Sequence, residues 1–184
     1  MSSDASARLT SGDVLTMYRT HAAYLRRLLL RLGAGESDVD DLLQDVFVVA
    51  LRRQADFEGR STDRTWLCGI AVRLATAHGR RRRVRQLFHL SRPAVEAPVI
   101  EPRDSPVRLL EQAQAKRHVQ QILDRLSPQK RTVLVLYEVE QLSGEEIAEI
   151  VGCPLKTVWT RLFYARRDFT AALQRRGLME TGAP

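Results

Sequence analysis

The chain has 184 residues, enough for one ordinary domain or two small ones. Hydrophobic residues at 44% are enough for packed cores, and charged residues at 28% are normal for a soluble protein. The net charge of +7, with an isoelectric point near 10.1, points to a polyanionic partner: nucleic acid or an anionic membrane surface.

The opening MSSDASARLTSGD is polar and carries Asp4, so it lacks the apolar core of a signal peptide. The longest apolar run, 46–51, falls far short of a membrane span, and direct membrane insertion is not expected. Cys68 and Cys153 are far apart, and His21, His78, His89 and His118 are scattered. Neither set has metal-ligand or redox spacing. The expectation is a reduced, cytoplasmic chain with no metal, no cofactor and no small-molecule substrate.

Val14, Leu15, Tyr18, Ala22, Leu25, Leu28, Leu29 and Leu32 recur at helical spacing, closed by Gly33 and Gly35. A second helix is predicted from Ser37, with Asp40 as a short capping-box partner. Its buried side is Val39, Leu42, Leu43, Val46, Phe47, Ala50 and Leu51. Residues 36–45 hold five acids and no base. Acids in a first turn favour the helix dipole, which accounts for part of the cluster. Asp41, Gln44 and Asp45 run beyond that turn and form a ridge able to receive a basic protein partner.

The segment FEGRSTD (57–63) reads as a loop, and Ser61 or Thr62 can cap the helix that follows. That helix offers Trp66, Leu67, Ile70, Ala71 and Leu74 to a core. Residues 64–85 contain seven arginines and no acid, five of them in GRRRRVR. So one-sided an excess suits a phosphate track better than a solvated helix end. Phe57 and Trp66 lie beside it, the pairing of aromatic and arginine that single-stranded nucleic acid requires. Trp66 also falls in the apolar stripe, which favours a core role for it.

Periodicity fades over 86–107, where Pro93, Pro98, Pro102 and Pro106 appear. A structureless stretch of this length predicts a domain boundary. Fully extended at roughly 3.3 Å per residue it reaches on the order of 70 Å, about two turns of duplex at roughly 34–36 Å each. Helix resumes with Leu109, Leu110, Ala113, Val119, Ile122, Leu123 and Leu126. Ser127 and Pro128 then give a cap and a first-turn proline. Val133, Leu134, Leu136, Tyr137 and Val139 form the next predicted face.

The stretch LSGEEIAEIVGCPLKTVWTRLFYARRDF (142–169) carries the strongest local signals. Ser143 and Glu146 make a capping box. Gly152 supplies a left-handed stop and Pro154 blocks continuation. Leu155, Val158, Leu162, Ala165, Phe169 and Leu173 then form a second apolar stripe. Two short helices joined by three residues with glycine predict a helix-turn-helix. At about 100° per residue the free face holds Lys156, Thr160, Phe163, Tyr164 and Arg167, flanked by Thr157 and Trp159. Residues 155–176 carry six bases and one acid, whereas 140–151 carry four glutamates and no base. A recognition helix in the major groove needs that asymmetry.

The order of these parts resembles the extracytoplasmic-function (ECF) class of bacterial RNA polymerase sigma factors. DDLLQDVFVVAL (40–51) is similar to the family's helix that docks on the polymerase clamp. TWLCGIAVRLATAHGRRRR (65–83) resembles its minus-ten helix, and 123–169 resembles the region that reads the minus-thirty-five element. The resemblance implies polymerase contacts at Asp41, Gln44, Asp45 and Phe47. Melted-strand contacts follow at Phe57, Arg60, Arg64, Trp66, Arg73, Arg80 and Arg81. Duplex contacts follow at Lys156, Thr157, Trp159, Thr160, Phe163, Tyr164 and Arg167. It further implies core RNA polymerase, promoter DNA and an anti-sigma factor as partners. The chain departs from the family at promoter-reading positions: Arg73 replaces a common Asn, Ala77 an acid, Gly79 a large residue. Trp159 and Tyr164 stand where basic residues are common.

The expected architecture is all-α, with two small helical domains (10–85 and 108–176) joined by a proline-rich linker (86–107). The expected function is promoter-directed transcription initiation without covalent chemistry. The alternative is a stand-alone helix-turn-helix regulator that binds duplex without polymerase. An enzyme acting on nucleic acid lacks any metal, phosphate-loop or nucleophile arrangement here.

Overall fold

The computed structural model describes residues 11–57, 59, 61–88 and 106–178. Most of the predicted linker, with Pro93, Pro98 and Pro102, lies outside the described residues, as do His89 and Arg60. Among the described residues there are seven α-helices and no strand, as expected of an all-α chain. The chain divides into two compact units, Met1–Leu87 and Phe88–Pro184.

The first unit contains α1 (Ser11–Arg31), α2 (Val39–Arg53), a short 3-10 turn (Gln54–Asp56) and α3 (Asp63–Phe88). Gly33, at φ 99°, ends α1. The Gly33 and Ala34 N–H groups donate to Leu30 and Leu29 carbonyls at 2.9 and 3.0 Å, a Schellman closure. The core comes from Val14, Met17, Leu25, Leu28 and Leu29 of α1, the inner side of α2, and Leu67, Cys68, Ile70, Ala71 and Val72 of α3. Leu15, Tyr18 and Leu51 belonged to the expected buried faces, yet all three are exposed, Leu15 at 52%. Two stripes with the same spacing run along α1, and the packing covers the one through Val14 and Met17.

The predicted Ser37–Asp40 capping box does not form. Asp38 takes the cap position without a side-chain bond, and the Ser37 hydroxyl donates to Asp38 at 3.3 Å. Arg26 draws Asp40 away, donating to it at 3.0 Å and to Glu36 at 2.9 Å. The Asp40 hydrogen bond raises the Arg26 pKa above its ordinary value against the opposing effect of burial, with Glu36 adding to it. Thr62, rather than Ser61, caps α3, its hydroxyl accepting the Thr65 N–H at 3.1 Å. His21 pairs with Asp63 and His78 with Asp38, each at 3.1 Å, tying α3 to α1 and to the start of α2. α3 continues past the predicted boundary at Gln86 to Phe88.

The second unit contains α4 (Pro106–Leu123), α5 (Pro128–Leu134), a π turn (Val135–Val139), α6 (Gly144–Val151) and α7 (Leu155–Gln174). Pro106 opens α4, where its missing N–H costs nothing. Ile122, Val133, Val135, Leu136, Ile147, Val158, Leu162 and Ala165 build the core around α7. The π turn overturns part of the predicted face. The Glu140 N–H reaches the Val135 carbonyl at 3.1 Å, so one extra residue enters the turn. Val135 and Glu140 are thereby buried and Val139 is exposed. Val119, also expected inside, is exposed.

The capping box at α6 forms in both directions: Glu146 N–H to Ser143 Oγ at 3.2 Å, and Ser143 N–H to Glu146 Oε2 at 2.8 Å. Gly152, at φ 65°, ends α6, and the Cys153 N–H returns to the Ala148 carbonyl at 3.2 Å. α7 begins after Pro154, so three residues separate the two helices.

Candidate nucleic-acid interface

The apolar stripe of α7 turns Val158, Leu162 and Ala165 inward and leaves Lys156, Trp159, Thr160, Phe163, Tyr164 and Arg167 exposed, with Thr157 half-buried. Phe163 is 64% exposed, Trp159 42% and Tyr164 39%. Water-facing aromatics in that number are unusual on a helix not meant for contact. Trp159 is held in place. Its ring meets Tyr137 edge-on at 5.6 Å and lies so close to Gly144 that a Cβ there would stand 2.5 Å from Trp159 Cζ2. Gly144 is therefore the residue that admits a tryptophan at position 159, and no local periodicity in the sequence signals it.

The basic residues of α7 are mostly engaged within the unit. Arg161 approaches the Cys153 sulfur at 3.6 Å. Arg166 donates to Glu138 at 2.6 Å and stacks over Tyr137 at 5.2 Å. Arg167 lies 4.8 Å above the Tyr164 ring and 3.4 Å from Asp168. Lys130 pairs with Asp168 at 2.5 Å. Hydrogen bonding from Lys130 holds the Asp168 carboxyl below its usual range, with the Lys130 charge and Arg167 adding to the effect against burial.

In the first unit, Phe57 and Trp66 are half-buried with ring centres 5.0 Å apart. Trp66, Arg73 and Arg80 recur every seven residues and share one stripe of α3, with Arg81 at its border. Arg73, Arg80 and Arg81 are exposed. Arg64 projects from the opposite side, over the Tyr24 ring at 4.5 Å, so the structure does not place it on that stripe. Arg82 is half-buried near Gly35.

On α2, Asp41, Gln44 and Asp45 are exposed. Phe47 is not part of their surface: it is 8% exposed and meets the Tyr18 ring edge-on at 4.8 Å. Phe47 therefore belongs to the core of the first unit, not to the exposed ridge. Val48 and Leu51 of α2 are exposed apolar residues on the same side of the helix as the acids, and Leu15 and Tyr18 of α1 are exposed as well. Helical spacing alone offers no signal that separates Leu15, Tyr18 and Leu51 from the core positions.

Residues 17–85 match the family model for sigma-70 region 2, and residues 116–169 match that for sigma-70 region 4. The ECF RNA polymerase sigma-E factor of Haemophilus influenzae is 34% identical over 176 residues, 91% of this chain and 92% of that one. The chain belongs to the ECF sigma factors. The RNA polymerase sigma-H factor of Pseudomonas aeruginosa is 32% identical over 167 residues, 88% of this chain and 86% of the relative. Among solved structures, CnrH in complex with the cytosolic domain of CnrY matches with a TM-score of 0.62 and 25% identity, covering 90% of each chain. The sigma factor RpoE of Bartonella quintana, in complex with the anti-sigma factor NepR, shares the fold with a TM-score of 0.68 and 24% identity. It covers 88% of this chain and 97% of that one.

In this ECF sigma factor the region 2 match encloses the α2 ridge and the α3 stripe, and the region 4 match encloses the exposed face of α7. Among the described residues no helix is long and apolar enough to cross a membrane.

Proposed function

We propose that this sigma factor binds core RNA polymerase, directs it to specific promoters and promotes their melting, catalysing no covalent step itself. The carrying observation is that two sigma-70 regions stand in order on one chain, each with an exposed face suited to its task. The ridge of Asp41, Gln44 and Asp45, bordered by Val48 and Leu51, is the surface for the polymerase clamp. Its charge contrasts with a chain of +7 net charge, which favours a basic protein partner over DNA at that place.

The face of Lys156, Thr157, Trp159, Thr160, Phe163, Tyr164 and Arg167 enters the major groove of the upstream element. Phe57 and Trp66 receive an unstacked base, while Arg73, Arg80 and Arg81 neutralise the adjoining backbone. Opening then proceeds by capture, in which bound bases offset lost stacking of a few kcal/mol each. This work belongs to the cytoplasm, where polymerase and chromosome are. An anti-sigma factor is the expected regulator, because the solved relatives RpoE and CnrH are seen with NepR and CnrY respectively. The test is transcription in vitro with core polymerase plus this chain, mapping start sites. Discrete starts absent with core polymerase alone are expected; none would overturn the assignment.

A further inference from the structure

The exposed face of α7 offers almost none of the chemistry that reads guanine. That contact needs a guanidinium presented to the N7 and O6 edge. Arg161 is turned toward Cys153, Arg166 is held by Glu138 and Tyr137, and the Arg167 guanidinium sits over the Tyr164 ring and beside Asp168. Lys156 is a point charge on the first turn, better matched to a phosphate than to a base edge.

What the face does offer is apolar. Phe163 projects furthest, 64% exposed and propped edge-on by Tyr164 at 5.3 Å. One turn earlier, the Thr160 hydroxyl donates to the Lys156 carbonyl at 2.9 Å. With its donor spent inside the helix, Thr160 presents its methyl group. Trp159, fixed against Gly144 and Tyr137, walls the same side. A threonine methyl and a phenyl ring are the side-chain groups that meet the 5-methyl of thymine in the major groove.

Resting on the sigma-factor reading, we propose that the upstream promoter element is recognised chiefly through thymine 5-methyl groups contacted by Thr160 and Phe163. Guanine readout by arginine plays no leading part.

The test uses core polymerase reconstituted with the full chain. It transcribes a duplex library randomised in the upstream element, built in parallel with thymine or with uracil, which lacks only the methyl. The expected winners carry thymine in that element. Uracil at those positions lowers transcript yield by roughly fourfold per methyl removed, the effect of withholding one buried methyl group from contact. Phe163→Ala loses most of that sensitivity; since Phe163 is largely exposed, the core stays intact. Thr160→Ser keeps the hydroxyl bond and loses the methyl, so it too should blunt the response. Equal yields from the thymine and uracil libraries, or an enriched element without thymine, would overturn the proposal. So would undiminished uracil sensitivity in both variants. Absence of any transcript with the wild-type chain would instead overturn the sigma-factor reading, and this inference with it.

Discussion

Gly144→Ala tests the packing that sets the angle of the reading face. The added Cβ would lie 2.5 Å from Trp159 Cζ2 and 2.9 Å from both Trp159 Cη2 and Leu155 Cδ1, inside contact distance of all three. Alanine is intrinsically the better helix residue by up to ~1 kcal/mol, but that gain is smaller at a first helical position. Forcing atoms into an occupied space costs about 1–3 kcal/mol. The Trp159 ring is the part able to give way, because one side of it faces water. A net loss of about 1–2 kcal/mol follows, together with an outward swing of the ring from Tyr137. For a unit of this size each kcal/mol lowers Tm by roughly 4–8 °C. The assay is urea unfolding followed by Trp159 fluorescence, with Trp66→Phe removing the other indole. A double-mutant cycle with Trp159→Ala, followed by the helical circular dichroism signal because that background lacks the reporter ring, isolates the contact, and the glycine penalty should largely vanish in it. A stable Gly144→Ala variant, or a penalty unchanged without the tryptophan, would show that this contact does not set the position of the ring.

Other consequences are open to measurement. Arg80→Ala with Arg81→Ala should weaken open-complex formation and lower the magnitude of its salt slope by roughly 1.4–1.8, the share of two phosphate contacts; unchanged melting in permanganate footprinting contradicts the α3 track. Asp168 has a folded pKa below its unfolded value, so its stabilising contribution is complete above about pH 5 and is lost as pH falls below about 4. Lys130→Met should therefore destabilise the second unit at neutral pH and flatten its acid loss, as followed by thermal unfolding across pH. Ser143→Ala removes the capping hydroxyl of α6 and should cost about 1 kcal/mol in urea unfolding.

Features set by a few neighbouring residues were legible in the sequence. The Ser143–Glu146 box, the left-handed stops at Gly33 and Gly152, and the cap before Thr65 each depend on backbone groups within one turn. The free face of α7 was legible too, because its inward stripe has an unambiguous period. Features decided by partners across the fold were not. Ser37 reads as a cap, yet Arg26, 14 positions before Asp40, takes the second half of the box. Leu15 and Tyr18 carry the same spacing as Val14 and Met17, and the neighbouring helices select between the stripes. The π turn shifts the phase of the face at Val139, which periodicity at 3.6 residues per turn cannot anticipate. The fit of Trp159 on Gly144 joins residues from two helices, and glycine in a first turn gives no hint of it.

Recruitment of polymerase by this basic chain is assigned, as proposed above, to its exposed acidic ridge. Its most direct test is capture of core RNA polymerase by the immobilised chain, wild type against Asp45→Arg. Asp45 is exposed and the substitution leaves the core untouched, so a folded variant that loses polymerase, and with it promoter-specific transcription, is the predicted result. Equal capture by both proteins, or duplex binding and regulation by a wild-type chain that never retains polymerase, would contradict it.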